Sequence, residues 1–209
     1  MKSVEEVQDQ QFSRRFAWEY KVTLVLYLLG LIVAEILTTY VNKIWGLSIH
    51  TIILFILLVN AAMVESTDFS NLLRSMMPIP IIRIVGLSIP MMQIKPLYWF
   101  PIVAIPLFAA SIVIMRRQNL TMKDVGMFMG DYRDNYRVQF FIALTGFITG
   151  IMEFFILRPD PLIPQFTPVL LLGGFIVLLL STGLAEELLF RGILQNNVMK
   201  LIGAGWGLL

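Results

Sequence analysis

Two adjacent carboxylates, Glu186 and Glu187, stand in an otherwise apolar stretch near the end of the sequence. Arg191 follows Glu187 by four residues and Gln195 follows Arg191 by four, so in a helix these three side chains form one polar stripe. Glu187 ahead of Arg191 is the favourable order for an ion pair, whereas Glu186 projects about 100° away around the axis. An acidic pair of this kind is suited to act as a general base, a proton relay or a cation ligand.

The two acids are predicted to face a water-filled cavity. They lie between Leu184 and Leu188, and a charged group at membrane depth costs at least about 2.5–3.5 kcal/mol on insertion scales. The competing interpretation is a helix that extends beyond the membrane and whose charges only mark the boundary. It stays open because Glu186 lies about 27 Å along a helix that begins at Pro168.

The composition is that of a membrane protein. Hydrophobic residues make up 57% of the chain, charged residues 14%, and the mean hydropathy is +0.78. A water-soluble domain with so few charged residues would lack the polar surface to cover itself. The net charge of +2 predicts no nucleic-acid partner, and the absence of cysteine excludes disulfides, iron–sulfur clusters and thiolate metal sites. With His50 as its one histidine, the chain cannot build a histidine-rich zinc site by itself.

Runs with few or no charged residues predict an all-α bundle of about six membrane spans, forming a single membrane domain over residues 1–209. A helix needs about 20 residues to cross the hydrocarbon core. Five spans fall at 22–40, 44–64, 96–115, 138–152 and 161–185. A sixth stretch, 76–92, is predicted to cross although it carries three prolines and Arg83. Thr167 followed by Pro168 predicts an N-cap that starts the last full span.

Basic residues predict a multi-pass protein of the cell membrane with a cytoplasmic amino terminus. With six spans, the stretches 1–21, 65–75 and 116–137 lie on one side and carry ten Lys and Arg residues, against three on the other side. The positive-inside rule places the richer side in the cytoplasm. Residues 1–21 are therefore expected to form a cytoplasmic tail.

Other ionisable residues lie in the spans, where such groups are functional candidates by default. Glu35 and Glu153 are both interpreted as structural, and Glu35 is a possible partner of Arg83. His50 is interpreted as a local histidine near the membrane interface, outside any site. An ion or proton transporter that uses Glu35, Glu153 and Glu186 is the third function class considered.

The stretch Ala185-Glu-Glu-Leu-Leu-Phe-Arg-Gly192 resembles the first motif, Glu-Glu-x-x-x-Arg, of the CPBP intramembrane proteases. This family includes the type II CAAX prenyl endopeptidases and the bacteriocin-processing or immunity proteins. The motif follows an apolar span, with Phe190 before the arginine and Gly192 after it. A polar loop with Leu120-Thr-Met-Lys-Asp-Val-Gly126, a span and a proline-rich loop precede it in a similar order, so the resemblance covers residues 116–209.

The resemblance implies a membrane endopeptidase whose catalytic residues are Glu186, Glu187 and Arg191. The glutamate matching Glu186 would activate a water for attack on a peptide bond, while Glu187 and Arg191 would orient the site or stabilise charge. The implied substrate is a peptide or a prenylated or other membrane protein within the lipid bilayer. The sequence leaves open whether a divalent metal takes part.

The family's second and third motifs, Phe-x-x-x-His and His-x-x-x-Asn, lie downstream of the first. Residues 1–209 contain neither. The chain is therefore expected to be either a fragment or a degenerate member, and as given not to be competent in proteolysis. The alternative function is a non-catalytic relative that confers immunity or binds a peptide in the same cavity.

Overall fold

A computed structural model describes residues 4–89, 94–127, 132–158, 161–163 and 165–203, and its secondary structure in these ranges is helical. This confirms the predicted all-α class. The helices are α1 (Val4–Tyr40), α2 (Lys43–Met63), α3 (Thr67–Met76), α4 (Pro78–Ser88), α5 (Pro96–Arg117), α6 (Tyr132–Leu157), α7 (Pro168–Leu178) and α8 (Gln195–Ile202).

Five segments are long and apolar enough to cross a membrane: Tyr20–Tyr40, Lys43–Met63, Leu97–Arg117, Tyr136–Ile156 and Pro168–Leu201. They match the five spans predicted from runs of few or no charges. The predicted sixth span is represented by α4, which has 11 residues and is shorter than the roughly 20 that a membrane helix needs. A bilayer crossing by this stretch stays a prediction, and its residues 90–92 lie outside the described ranges.

The hairpin of α1 and α2 is held by close antiparallel packing. Gly46 makes the close approach possible, since a Cβ atom at this position would stand 1.7 Å from the Thr38 hydroxyl oxygen. Farther along the pair, the Asn60 amide donates a hydrogen bond of 2.9 Å to the Tyr27 hydroxyl. The register fixed by these contacts brings the last part of α1 level with the first half of α2.

The helix ends meet at two opposite ends of the bundle. At one end, a buried polar network joins α3, α5 and α8, because Gln118 donates to the Asn71 carbonyl oxygen at 3.0 Å and Asn197 donates to Gln118 Oε1 at 2.8 Å. At the other end, Leu97 of α5 lies with Pro168 of α7 around an apolar cavity. The connection from α3 through α4 to α5 therefore carries the chain from one end of the bundle to the other.

The last span is one long helix with two π-helical segments. It begins where the sequence predicts, because the Thr167 hydroxyl accepts a hydrogen bond from the Leu170 amide and Pro168 occupies the first turn. The π-helical segments are Leu179–Leu184 and Glu187–Leu194. They flank a short α-helical stretch that contains Glu186. Such segments are rare in proteins and are frequently found at functional sites.

The helix α6 has no buried side chain in its described part. Every side chain from Tyr136 to Ile156 is exposed, most of them large and apolar. An all-round apolar surface of this kind is suited to contact lipid. The cavity described below is formed without α6.

Candidate functional site

A cavity of about 450 Å³ opens among α1, α2, α4 and the segment around Glu186. Its volume lies in the range of small-ligand sites. Most of its wall is apolar, and four polar or ionisable side chains interrupt that wall. The lining residues are Leu31, Ile32, Glu35, Ile36, His50, Ile79, Ile82, Arg83, Glu186 and Phe190.

The carboxylate of Glu186 is the unpaired charge of this cavity. The residue is exposed, and its carboxylate forms no hydrogen bond or ion pair with any residue in the described ranges. The flanking residues Ala185 and Leu189 are fully buried against Leu107 of α5, so the backbone beneath Glu186 is anchored. An anchored helix with a free carboxylate can present that carboxylate to a ligand or to water.

The second charged group of the cavity is an ion pair between Glu35 and Arg83. The guanidinium donates two parallel hydrogen bonds, from Nε and Nη2, to the two carboxylate oxygens. This confirms the pairing considered from the sequence. The side chains are 41% and 39% exposed, so both reach the cavity. Because each charge is compensated by the other, the pair can persist in an apolar environment.

His50 also lines this cavity, so its placement outside the site is corrected, while its position near the membrane interface stays a prediction. The residue is fully buried, and its Nε2 lies 3.3 Å from Glu35 Oε1 without the alignment of a hydrogen bond. The physical reason is the antiparallel register of α1 and α2, which sets His50 behind Glu35. The residues around His50 in the sequence do not predict this contact, because it depends on how α1 and α2 pack against each other.

Glu187 and Arg191 do not line the cavity. They form the predicted i,i+4 ion pair, in which Arg191 Nη1 lies 2.5 Å from Glu187 Oε1. The Glu187 side chain is 49% exposed and the Arg191 side chain is 73% exposed. Of the two acids predicted to face a cavity, the structure thus places Glu186 in its lining and Glu187 outside it.

The polar loop after α5 docks on the helix immediately after Arg191. A Cβ atom on Gly192 would stand 2.8 Å from the Val125 carbonyl oxygen, so only glycine allows this contact. Within the loop, the Asp124 carboxylate accepts hydrogen bonds from the Thr121 hydroxyl at 2.6 Å and the Thr121 amide at 2.7 Å. These bonds, the hydroxyl bond first, lower the pKa of Asp124 below its ordinary value. The contact gives the glycine of the motif a structural role.

The remaining ionisable candidates do not extend the site. Glu153 lies on α6 and does not line the cavity that Glu35 and Glu186 share. No three His, Asp or Glu side chains in the described part of the chain are close enough to one another to hold a metal ion. The described residues therefore do not by themselves form a site that fits a metal ion.

Comparisons with models of protein families, with curated proteins and with solved structures found no match to this chain.

Proposed function

We propose that this chain carries the base of an intramembrane endopeptidase of the CPBP type, which hydrolyses a peptide bond with a water activated by Glu186. The observation that supports this most strongly is the position of Glu186, whose carboxylate is unpaired and lies in the lining of an otherwise mostly apolar cavity. The resemblance of the motif names the same residue, on independent grounds.

The chemistry that Glu186 can perform follows from its surroundings. A carboxylate without a cationic partner can accept a proton from a water, and general-base catalysis of this kind contributes about 10²–10⁴-fold in rate. Glu35 and Glu187 are each engaged by an arginine, Arg83 and Arg191 respectively, so their oxygens are less available to a water. Glu186 is therefore the carboxylate of the cavity best suited to the role of base.

The substrate is a peptide segment that reaches the cavity from the bilayer. The cavity wall is mostly apolar, and an apolar wall favours apolar side chains or lipid groups over charged groups. A membrane polypeptide or a lipidated carboxy-terminal segment meets this requirement. Release of a peptide from such a segment is the reaction that the site would serve.

The test is a search for new peptide termini. The protein encoded by the complete reading frame is reconstituted into liposomes with a membrane-protein extract, and new amino and carboxyl termini are identified by mass spectrometry. We expect defined cleavage sites with the unchanged protein and none with Glu186→Gln, which keeps the shape of the side chain and removes its basicity. Glu153→Gln serves as the matched control, since it makes the same change on α6, outside the cavity.

Two results would contradict the proposal. One is an identical set of new termini with Glu186→Gln, which would show that the cleavage comes from another protease in the extract. The other is an absence of any cleavage by the unchanged protein while a peptide still binds in the cavity. That second result would favour the non-catalytic, peptide-binding relative.

A further inference from the structure

The ion pair between Glu35 and Arg83 leaves part of the guanidinium free. Nε and Nη2 of Arg83 donate to Glu35, whereas Nη1 has no partner among the described residues. A guanidinium carries five N–H donors, and two of them belong to Nη1. Since the Arg83 side chain is 39% exposed and lines the cavity, these donors are available to a ligand there.

The pair is also built to hold the guanidinium in one orientation. Two parallel bonds to one carboxylate fix the plane of the guanidinium. The carboxylate is backed in turn by the buried ring of His50, whose Nε2 lies 3.3 Å from Glu35 Oε1. An oriented donor in an apolar site stabilises developing negative charge more than a mobile one in water. A surface ion pair between two exposed side chains, such as Glu187 with Arg191, has no such support.

We propose that Arg83, oriented by Glu35, binds the carbonyl oxygen of the peptide bond that is attacked by the water of Glu186. Arg83 is then a catalytic residue, because it contacts the substrate, and Glu35 and His50 are positioning residues. This inference rests on the proposed function, from which it takes the peptide. It adds the group that binds the carbonyl oxygen, to which neither the motif nor its spacing assigns a residue.

The reaction balances with these groups. The water oxygen forms a bond to the carbonyl carbon while Glu186 takes one proton of the water. The electron pair of the C=O double bond moves to the oxygen, and the resulting oxyanion is stabilised by Arg83. The C–N bond then breaks, the oxyanion returns to a carbonyl, and Glu186 gives its proton to the leaving nitrogen. The products are a carboxyl terminus and an amine.

The variants must separate loss of the donor from loss of the fold. Arg83→Met alone leaves the charge of Glu35 uncompensated, which can unfold the protein. The double variant Glu35→Gln/Arg83→Met removes both charges, so the cavity keeps a neutral lining. The matched control is Arg137→Met/Glu153→Gln, which removes one charge of each sign from α6, outside the cavity. Arg83→Lys retains a positive charge and lacks the planar fork, so it should rescue activity only in part.

The first readout is kinetic, on a peptide that contains a cleavage site. We expect Glu35→Gln/Arg83→Met to lower kcat by about 10²–10³-fold and to change KM by less than about threefold, since the interaction strengthens in the transition state. The control Arg137→Met/Glu153→Gln should keep both constants. A double variant that folds and keeps its kcat, while Glu186→Gln abolishes cleavage, would overturn the role of Arg83 and leave the proposed function standing.

The second readout is independent of hydrolysis. N-acetyl-Leu-Leu-Leu-amide, labelled with ¹³C at one carbonyl at a time, is bound to the Glu186→Gln protein in liposomes and measured by infrared spectroscopy. A hydrogen bond from a guanidinium lowers the stretching frequency of one labelled carbonyl, and this shift should disappear when Glu35→Gln/Arg83→Met is added. A shift that depends on Arg83 would support the carbonyl site even if the unchanged protein hydrolyses nothing. No shift at any carbonyl, or a shift that persists without Arg83, would overturn it.

Discussion

Glu186 and Glu187 are neighbours on one helix and both are exposed, but they differ in what surrounds their carboxylates. Glu186 lines a cavity and has no partner among the described residues, whereas Glu187 lies outside the cavity in an exposed ion pair with Arg191. Because Arg191 compensates the charge of Glu187 while Glu186 has no such partner among the described residues, the two positions should respond differently to the same substitution. The comparison shows that the face of the helix a carboxylate occupies decides whether it lines the cavity or pairs with an arginine.

The largest expected effect is the difference between the two glutamines in catalysis. Glu186→Gln should lower kcat by about 10²–10⁴-fold, since it removes the base. Glu187→Gln should change kcat by less than about threefold, because the side chain does not reach the cavity. Steady-state hydrolysis of a peptide that contains a cleavage site measures both. Equal losses at the two positions would show that the pair acts as a unit and would break the comparison.

A smaller effect is expected where the loop after α5 meets the helix. Gly192→Ala should destabilise the protein by about 1–3 kcal/mol, because its Cβ atom would overlap the Val125 carbonyl oxygen at 2.8 Å. Gly146→Ala is the matched control, since nothing lies within 4 Å of its added carbon. Thermal unfolding in detergent compares the two. Equal stability of both variants would contradict a structural role for the contact between Gly192 and the loop.

How much of this arrangement the sequence predicts depends on whether the cause is local. The spans follow from the lack of charged residues, the start of α7 follows from Thr167 and Pro168, and the ion pair of Glu187 follows from spacing alone. The meeting of Glu35, His50 and Arg83 with Glu186 depends on how four separate segments pack. No local pattern contains that information. The sequence does not predict the π-helical segments that flank Glu186 either, since no local pattern distinguishes them from an ordinary α-helix.

Acid should loosen the docked loop. The pKa of Asp124 is lowered in the folded state by its hydrogen bonds from Thr121. A carboxyl group whose folded-state pKa lies below its unfolded value stabilises the fold above the unfolded value and loses this contribution as the pH falls through the folded one. We therefore expect the unfolding temperature to decrease when the pH is lowered below about 4. Asp124→Asn should reduce this dependence, and an unchanged pH profile would contradict the role of the carboxylate.

The smallest expected effect is the energy of the exposed ion pair. A double-mutant cycle of Glu187→Gln and Arg191→Gln should give a coupling energy below about 0.5 kcal/mol, because both side chains are largely exposed. The same cycle at Glu35 and Arg83 should give a larger value, since their geometry is bidentate and their surroundings are more apolar. Denaturant unfolding in detergent supplies both cycles. A stronger coupling at Glu187 than at Glu35 would reverse the comparison.

The central claim is that Glu186 activates a water and does not itself attack the peptide. A single turnover in water enriched in ¹⁸O tests it directly, with the protein in excess over a peptide that contains a cleavage site. The account predicts one ¹⁸O atom in the new carboxyl terminus of the product and none in the side chain of Glu186, both measured by mass spectrometry. An unlabelled product together with ¹⁸O in Glu186 would show that the carboxylate had formed a bond to the substrate, and would contradict the role of Glu186 as a base.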